Sequence, residues 1–400
     1  MPSEPTRIAT ANSPVELKIS DCPILVVDDD EMICEFIRMN LLVGSFENID
    51  IAMDGAEALA KVKTLNPDLM ILDMSMPVLD GFAVLKELRG NPDYEDLPVL
   101  VTTGLDTHED RNNVLRHGAS NLISKPIDSE ILIQRTKELL ERRLLLRELT
   151  RYRNRLEHEL SAARDMQSQI VPSAEFAGSI AAKYNCKIES HYRSSSELGG
   201  DFWGIRSIDE DRFMVFTADF SGHGVAASLN TFRLDAIIKE MEIPSGSPAE
   251  FLALVNSSLY TLLEPGQFAT TLCAFVEPGR NRLVYSGAAA PEPIFGRTDA
   301  QELRLEDGSG MLLGVREGSV YDDREVAFPN GSFMFLFSDA LFESPTVDGG
   351  DALEIEGVMA LAKDALTNAP AAPLEHLLKR FDAEVEQPLN DDLTTVWLSH

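Results

Sequence analysis

Residues 68–90 read DLMILDMSMPVLDGFAVLKELRG. The run LMIL is too short for a helix of its own and too apolar for an exposed strand. It predicts a strand buried on both faces. From Asp80 the pattern changes, and DGFAVLKELRG carries apolar residues at helical spacing and closes on a glycine. A buried strand that feeds an amphipathic helix is half of a βαβ unit. The alternation extends both ways, from Pro23 to about Lys125. ILVV (24–27), PVLVT (98–102) and NLI (121–123) are further strand runs, with EMICEFIRMNLL and GAEALAKVKTL as helical stretches between them. The expectation is a doubly wound α/β domain with a parallel sheet.

Polar groups stand at four strand ends. Asp28 and Asp29 follow ILVV, Asp73 follows DLMIL, Thr103 follows PVLVT, and Lys125 follows NLI. The carboxyl ends of the strands in such a sheet form its ligand crevice, so these groups should converge there. Asp28 and Asp29 suit a hard divalent cation, Asp73 can act as nucleophile, and Lys125 and the Thr103 hydroxyl can neutralise transferred oxygens. With the runs VVDDD, MILDMSMPVLDG, VTTG and SKP, residues 21–140 resemble the response-regulator receiver family. The resemblance implies a five-stranded parallel sheet, a Mg2+ ion on Asp28, Asp29 and Asp73, and phosphorylation of Asp73 by a sensor histidine kinase. It further implies Thr103 as switch hydroxyl and Lys125 as phosphate-binding lysine. Leu122 stands where many receivers carry an aromatic switch residue.

Between Ser129 and Ile170 there is neither Pro nor Gly, and most residues favour helix. Leu139, Leu146, Arg153, Leu160 and Gln167 recur every seven positions, as do Leu149, Leu156, Ala163 and Ile170. That is a heptad seam with polar interruptions. It predicts a coiled-coil-like helix that pairs two copies of the chain.

Beyond about Ala174 the texture becomes β-rich: RFMVFTADF, TTLCAFV, RLVYSG, GSFMFLFSD and DLTTVWL, with helical stretches around 224–242, 249–263 and 352–382. An α+β domain follows. Carboxylates again sit at strand ends: Asp201 in ELGGDFWG, Asp219 in FTADFSGHGVAA, Asp339 after FMFLFS, and Asp391 and Asp392 before LTTVWL. Acids spaced this way suit two hard metal ions sharing a bridging carboxylate and a water. From about residue 156 onward, including LSAARDMQSQIVP, the chain looks like the PPM protein serine/threonine phosphatases of the SpoIIE/RsbU branch. The resemblance implies an αββα sandwich and two Mn2+ or Mg2+ ions. Asp219 would bridge them, Asp339 and Asp391 would hold one, and Asp201 with the Phe220 carbonyl would serve the other. Asp392 would be a partial or supporting ligand, and His223 a proton donor or a turn residue. Gly204 replaces an acid of the family pattern, and Ala288-Ala289-Ala290 replaces its AGH.

The expected organisation is a disordered tail (1–20), a receiver (21–128), a helical linker (129–172) and a phosphatase domain (173–400). The 66 acidic against 35 basic residues give a net charge of -31. Such a chain repels nucleic acid and anionic membrane. The four cysteines are far apart, without zinc or disulfide spacing, and no run approaches a membrane span. A cytoplasmic chain is therefore expected. The two resemblances together imply a response regulator whose receiver would control dephosphorylation of an anti-sigma-factor antagonist. The alternative is a non-catalytic adaptor of RssB-like fusion architecture whose degenerate phosphatase domain only binds a partner.

Overall fold

The computed structural model describes residues 18–400, apart from 105–107, 196–197, 223, 244–245, 299–301, 348, 350 and the side chains of His108 and Asp110. The 1–20 tail thus lies almost wholly outside the described residues, as does His223. The chain divides into two compact units, Met1–Leu156 and Glu157–His400. Among the described residues, no helix is long and apolar enough to cross a membrane.

In the first unit, β1 (Ile24–Val27), β2 (Ile49–Ala52), β3 (Leu69–Asp73), β4 (Val99–Thr103) and β5 (Asn121–Ser124) form a parallel sheet in the order β2-β1-β3-β4-β5. The helices α1 (Glu31–Val43), α2 (Gly55–Leu65), α3 (Gly81–Arg89) and α4 (His108–Arg116) connect them. The central strands β1, β3 and β4 are buried at every position, which is why their sequences are unbroken apolar runs. β2 reads IDIA and is half-buried at the sheet edge, so its short sequence carries no comparable signal. Asp30, Asp54 and Asp80 cap α1, α2 and α3, each accepting a backbone N–H at 2.8 Å.

The long helix α5 (Ser129–Ser168) is continuous across the boundary between the units. Its beginning belongs to the receiver core, where Leu132, Leu139 and Leu140 are buried with Ile24, Ile37 and Leu100. Three positions of the expected seam are therefore occupied within the chain, Ile170 packing on a core of the second unit. Leu139 packs in this core, and Gln167 is buried in the second unit. Leu146, Leu149 and Leu156 remain exposed.

In the second unit, α6 (Ala174–Lys183) precedes two antiparallel sheets. One is ordered β13-β10-β9-β8-β7, from β7 (Asp201–Ser207), β8 (Phe213–Phe220), β9 (Ala269–Glu277), β10 (Arg282–Ala288) and β13 (Arg324–Ala327). The other is β12-β11-β14-β15-β6, from β6 (Lys187–Arg193), β11 (Ile294–Arg297), β12 (Glu302–Leu305), β14 (Ser332–Phe337) and β15 (Leu393–Ser399). Strand alternation builds the layers. Phe213 and Val215 of β8 point into the inter-sheet core with Met334, Leu336 and Val396. Met214, Phe216 and Phe220 point the other way, onto α7 (Val225–Glu240) and α8 (Pro248–Leu262). Phe333, Phe335 and Trp397 cover the outer face of the second sheet beneath α9 (Ala340–Glu343), α10 (Glu354–Asn368) and α11 (Pro373–Glu384). The result is an αββα sandwich. The single helical stretch expected over 352–382 is two helices, because Pro370 and Pro373 interrupt it.

Candidate active sites: a phosphoacceptor cluster and a carboxylate cavity

At the carboxyl ends of β1 and β3, ligand atoms of Asp28, Asp29 and Asp73 lie within 4.8 Å of one another. Asp28 and Asp73 are buried, and Asp29 is exposed. The Lys125 ammonium bridges the buried pair, 2.9 Å from Asp28 Oδ2 and 2.7 Å from Asp73 Oδ1. Burial pushes the Asp28 carboxyl up despite this contact. For Lys125, burial works against the charge, but the bonds to Asp73 and Asp28 outweigh it and hold the ammonium above its ordinary range. The backbone of Ser75 donates to Asp73 Oδ2 at 2.8 Å. Thr103 is buried beside the lysine, its carbonyl accepting the Lys125 N–H at 2.8 Å. All five residues chosen from strand ends are thus brought to one crevice. Three carboxylates around one point fit a hard cation. Leu122 pairs with Val101 across the β4–β5 ladder and packs on the receiver core.

The second constellation is arranged differently. Asp201 and Asp219 are directly opposite each other on β7 and β8. Like charges in that position are destabilising, and such a pair survives where something else compensates it. Strand alternation turns both toward the inter-sheet side, where they line a cavity of about 320 Å3 with Asp339, Glu343, Thr217 and Thr271. Asp201 is wholly buried, and its Oδ2 has no hydrogen-bond partner. Burial, then the neighbouring Asp219 charge, holds its carboxyl well above the carboxylate range. Burial and then the Asp339 and Asp391 charges push Asp219 up to about 8. Burial, then Asp391 and Glu343, push Asp339 to about 6. Among the described residues, no lysine, arginine or histidine lines the cavity. Orphaned buried carboxylate oxygens that raise one another fit divalent cations, which supply the missing positive charge.

Asp391 and Asp392 do not line this cavity. Asp391 Oδ1 accepts the Asp392 N–H at 2.8 Å. Asp392 is a clamp: Oδ1 accepts from the Ser195 N–H at 2.8 Å and the Ser194 hydroxyl at 3.1 Å, and Oδ2 from the Gly200 N–H at 2.6 Å. Its oxygens are spent on positioning the segment that carries Asp201. The tight glycines of ELGGD follow from this geometry. A Cβ on Gly199 would meet the Tyr192 hydroxyl at 2.3 Å, and one on Gly200 the Phe220 carbonyl at 3.0 Å.

Two supporting residues escaped the sequence reading. Gln167, at the end of α5, grips Gly199 from both sides, donating to its carbonyl at 2.7 Å and accepting its N–H at 3.1 Å. Ser338 joins the two strands that bear Asp339 and Asp391. Its hydroxyl donates to the Asp392 carbonyl at 3.0 Å and accepts the Thr394 N–H at 2.9 Å. Gln167 sits on a heptad position and Ser338 inside FSD, the only signals available.

The departures from the family pattern also find their places. Gly204 alternates away from the cavity and abuts Phe216, whose ring atoms lie 2.4 Å from where a Cβ would stand. The missing acid is therefore not lost from the carboxylate face. Ala289 lines the cavity with φ +54°, in the left-handed region that a glycine would occupy without strain.

Comparison with known proteins agrees with this division. Residues 24–137 match the response regulator receiver domain, and residues 209–400 match stage II sporulation protein E (SpoIIE). The chain joins a response-regulator receiver to a SpoIIE-type PPM phosphatase domain. The receiver is similar to response regulator PleD of Caulobacter vibrioides, 39% identical over 126 residues, which are 32% of this chain and 28% of that protein. It is also similar to response regulator MprA of Mycobacterium tuberculosis, 41% identical over 119 residues, 30% of this chain and 50% of MprA. The chain thus spans half or less of the length of these curated relatives. The SiaA-PP2C domain of Pseudomonas aeruginosa shares the fold of the SpoIIE-type domain, with a TM-score of 0.56 at 19% identity, covering 62% of this chain and 98% of that one.

Proposed function

We propose that this chain is a response regulator whose receiver controls a metal-dependent protein serine/threonine phosphatase. The observation that carries the reading is the cavity on which Asp201, Asp219 and Asp339 converge, with no cationic side chain among the described residues that line it. Two Mn2+ or Mg2+ ions held there would let the carboxyls ionise together and would make a water acidic enough to attack phosphorus near neutral pH. In this reading Asp219 would be the shared ligand, Asp339 and Asp391, whose charges raise it, would hold one ion, and Asp201 with the Phe220 carbonyl would hold the other. Asp392, through the Gly200 N–H, fixes the strand that presents Asp201. Hydrolysis would join a water oxygen to phosphorus as the bond to the serine or threonine oxygen breaks, one proton of that water passing to solvent and the leaving oxygen taking one up, to give the alcohol and inorganic phosphate.

In the receiver, the Asp73 carboxylate takes a phosphoryl group from the phosphohistidine of a sensor kinase, forming a P–O bond as the P–N bond breaks. Lys125 and Thr103 would then face the new oxygens, and Asp28, Asp29 and Asp73 would hold a Mg2+ that offsets their charge. The phosphatase substrate in this reading is a phosphorylated anti-sigma-factor antagonist in the cytoplasm. Pairing of two chains through Leu146, Leu149 and Leu156 would bring two phosphatase domains together. The position of Gly204 away from the cavity supports catalysis over a purely adaptor role. The deciding experiment is Mn2+-dependent release of phosphate from a phosphoserine protein by the purified chain. Absence of turnover with or without a receiver phosphodonor would overturn the reading. Light scattering of Leu146→Asp/Leu149→Asp against wild type tests the pairing.

A further inference from the structure

The chain is acidic overall, yet residues 142–155 hold six arginines (142, 143, 147, 151, 153 and 155) against one acid, Glu148. Four of these line a cavity of about 920 Å3 at the amino ends of β3, β4 and β5, the opposite end of the receiver sheet from Asp73. Arg89, the last residue of α3, also lines it. The groups already in contact explain only part of this charge. Arg89 donates to the Gly118 and Leu97 carbonyls, which are neutral. Arg143 donates to the Asp96 carbonyl at 2.9 Å, while its buried Nε–H has no acceptor. Arg147 pairs with Asp68. Arg142 and Arg151 have no hydrogen-bond or ion-pair partner among the described residues. Glu95 and Asp96 are the two carboxylates on the wall, so positive charge remains in excess. Burial, and then the Arg147 charge, hold the Arg143 guanidinium below its ordinary value, which an added anion would relieve. Arg143, Arg147 and Arg151 are spaced i, i+4, i+8, one ridge of the helix facing one opening. Leu97, Pro98 and Leu146 supply an apolar wall.

We propose that this cavity binds a small polyphosphate anion, its phosphates held by Arg142, Arg143 and Arg151 and any base lying on Leu97 and Pro98. Guanidinium forks match phosphate oxygens in pairs, and the volume is that of a nucleotide-sized site. Such a ligand would fasten α5 to the receiver, giving the helix a second input besides Asp73.

The test is calorimetric titration of the full-length protein with GTP and with tripolyphosphate. Both are run in EDTA, so that the two acidic sites cannot hold phosphate through metal, and at about 150 mM salt, where exposed charges are largely screened. Saturable binding is expected, weakened roughly tenfold or more by Arg142→Ala/Arg151→Ala, the loss of one or two phosphate contacts. Arg153→Ala/Arg155→Ala removes equal charge from the same helix outside the cavity and should leave affinity within about twofold. GTP tighter than tripolyphosphate assigns the base to the apolar wall, and equal affinity assigns the phosphate chain alone. No saturable heat with either probe on the wild type, or equal weakening by both double variants, would overturn the site.

Discussion

The two acidic sites of this chain solve the same electrostatic problem in opposite ways. In the receiver, Lys125 sits within 2.9 Å of both buried carboxylates and supplies most of the compensation itself. In the phosphatase domain, Asp201, Asp219 and Asp339 share a cavity that no basic side chain lines among the described residues, and burial drives Asp219 up to about 8. A site with an internal lysine can gain and lose a phosphoryl group while its fold stays in place. A site without one needs positive charge from outside its own side chains, which the proposed cations would supply.

The largest expected effect separates the sites by function. Asp219→Asn keeps volume but loses the shared ligand, and phosphatase turnover should fall by roughly two to three orders of magnitude. Receiver phosphorylation should be unaffected and near-UV circular dichroism unchanged. Turnover close to wild type would break the contrast. Next in size, Asp73→Ala should show no label above background with a small phosphodonor and Mg2+. It should also remove the phosphodonor's effect on turnover, a coupling of about 1–3 kcal/mol in systems of this kind. Equal labelling of both proteins would sink the phosphoacceptor assignment.

A third measurement sharpens the contrast through pH. Asp219 and Asp339 keep their protons in the metal-free folded domain to about 8 and about 6, whereas in the unfolded chain they lose them near 4. The folded state therefore binds more protons over that window, and the metal-free domain loses stability as pH rises from about 4 to about 8. Mn2+ must displace those protons, so its stabilising effect grows over the same range. Melting temperatures with and without Mn2+ at pH 6 and pH 8 should show the larger shift at pH 8. Equal shifts would mean the carboxyls are compensated some other way. The smallest effect is local. Ala289→Gly relieves a left-handed alanine and should stabilise the domain by about 1 kcal/mol, or roughly 2–4 °C. A lower melting temperature would show that the methyl group earns its place by packing.

Much of this was legible in the sequence because the receiver places its chemistry at the ends of unbroken apolar strands. ILVV, LMIL and VLV announce themselves, and the polar residue after each is conspicuous. The phosphatase carboxylates were legible for the same reason, as breaks in β-rich runs. What stayed hidden was direction and reach. Asp392 reads on paper as either a supporting residue or a partial ligand, and only the fold shows the four backbone and hydroxyl donors on its oxygens. Gly204 looks like a lost acid near the site, and only the alternation of β7 reveals that it faces Phe216. Gln167 reads as a flaw in a heptad seam because its partners, Gly199 and Thr231, are 32 and 64 residues away. Long-range hydrogen bonds leave no local pattern to find.

The pairing of Asp201 with Asp219 makes the distant hairpin turn a determinant of the cavity. Ile208 and Arg212 close that turn, with Asp209 accepting from the Asp211 N–H at 2.9 Å and pairing with Arg212. Adding one residue there and sliding β7 along β8 would turn Asp201 toward Phe216 and α7, where a lone carboxylate has no compensation. Loops usually tolerate changes of length, but this one should accept them only as bulges or in pairs of residues. A library of insertions between Ile208 and Arg212 would then sort itself by parity.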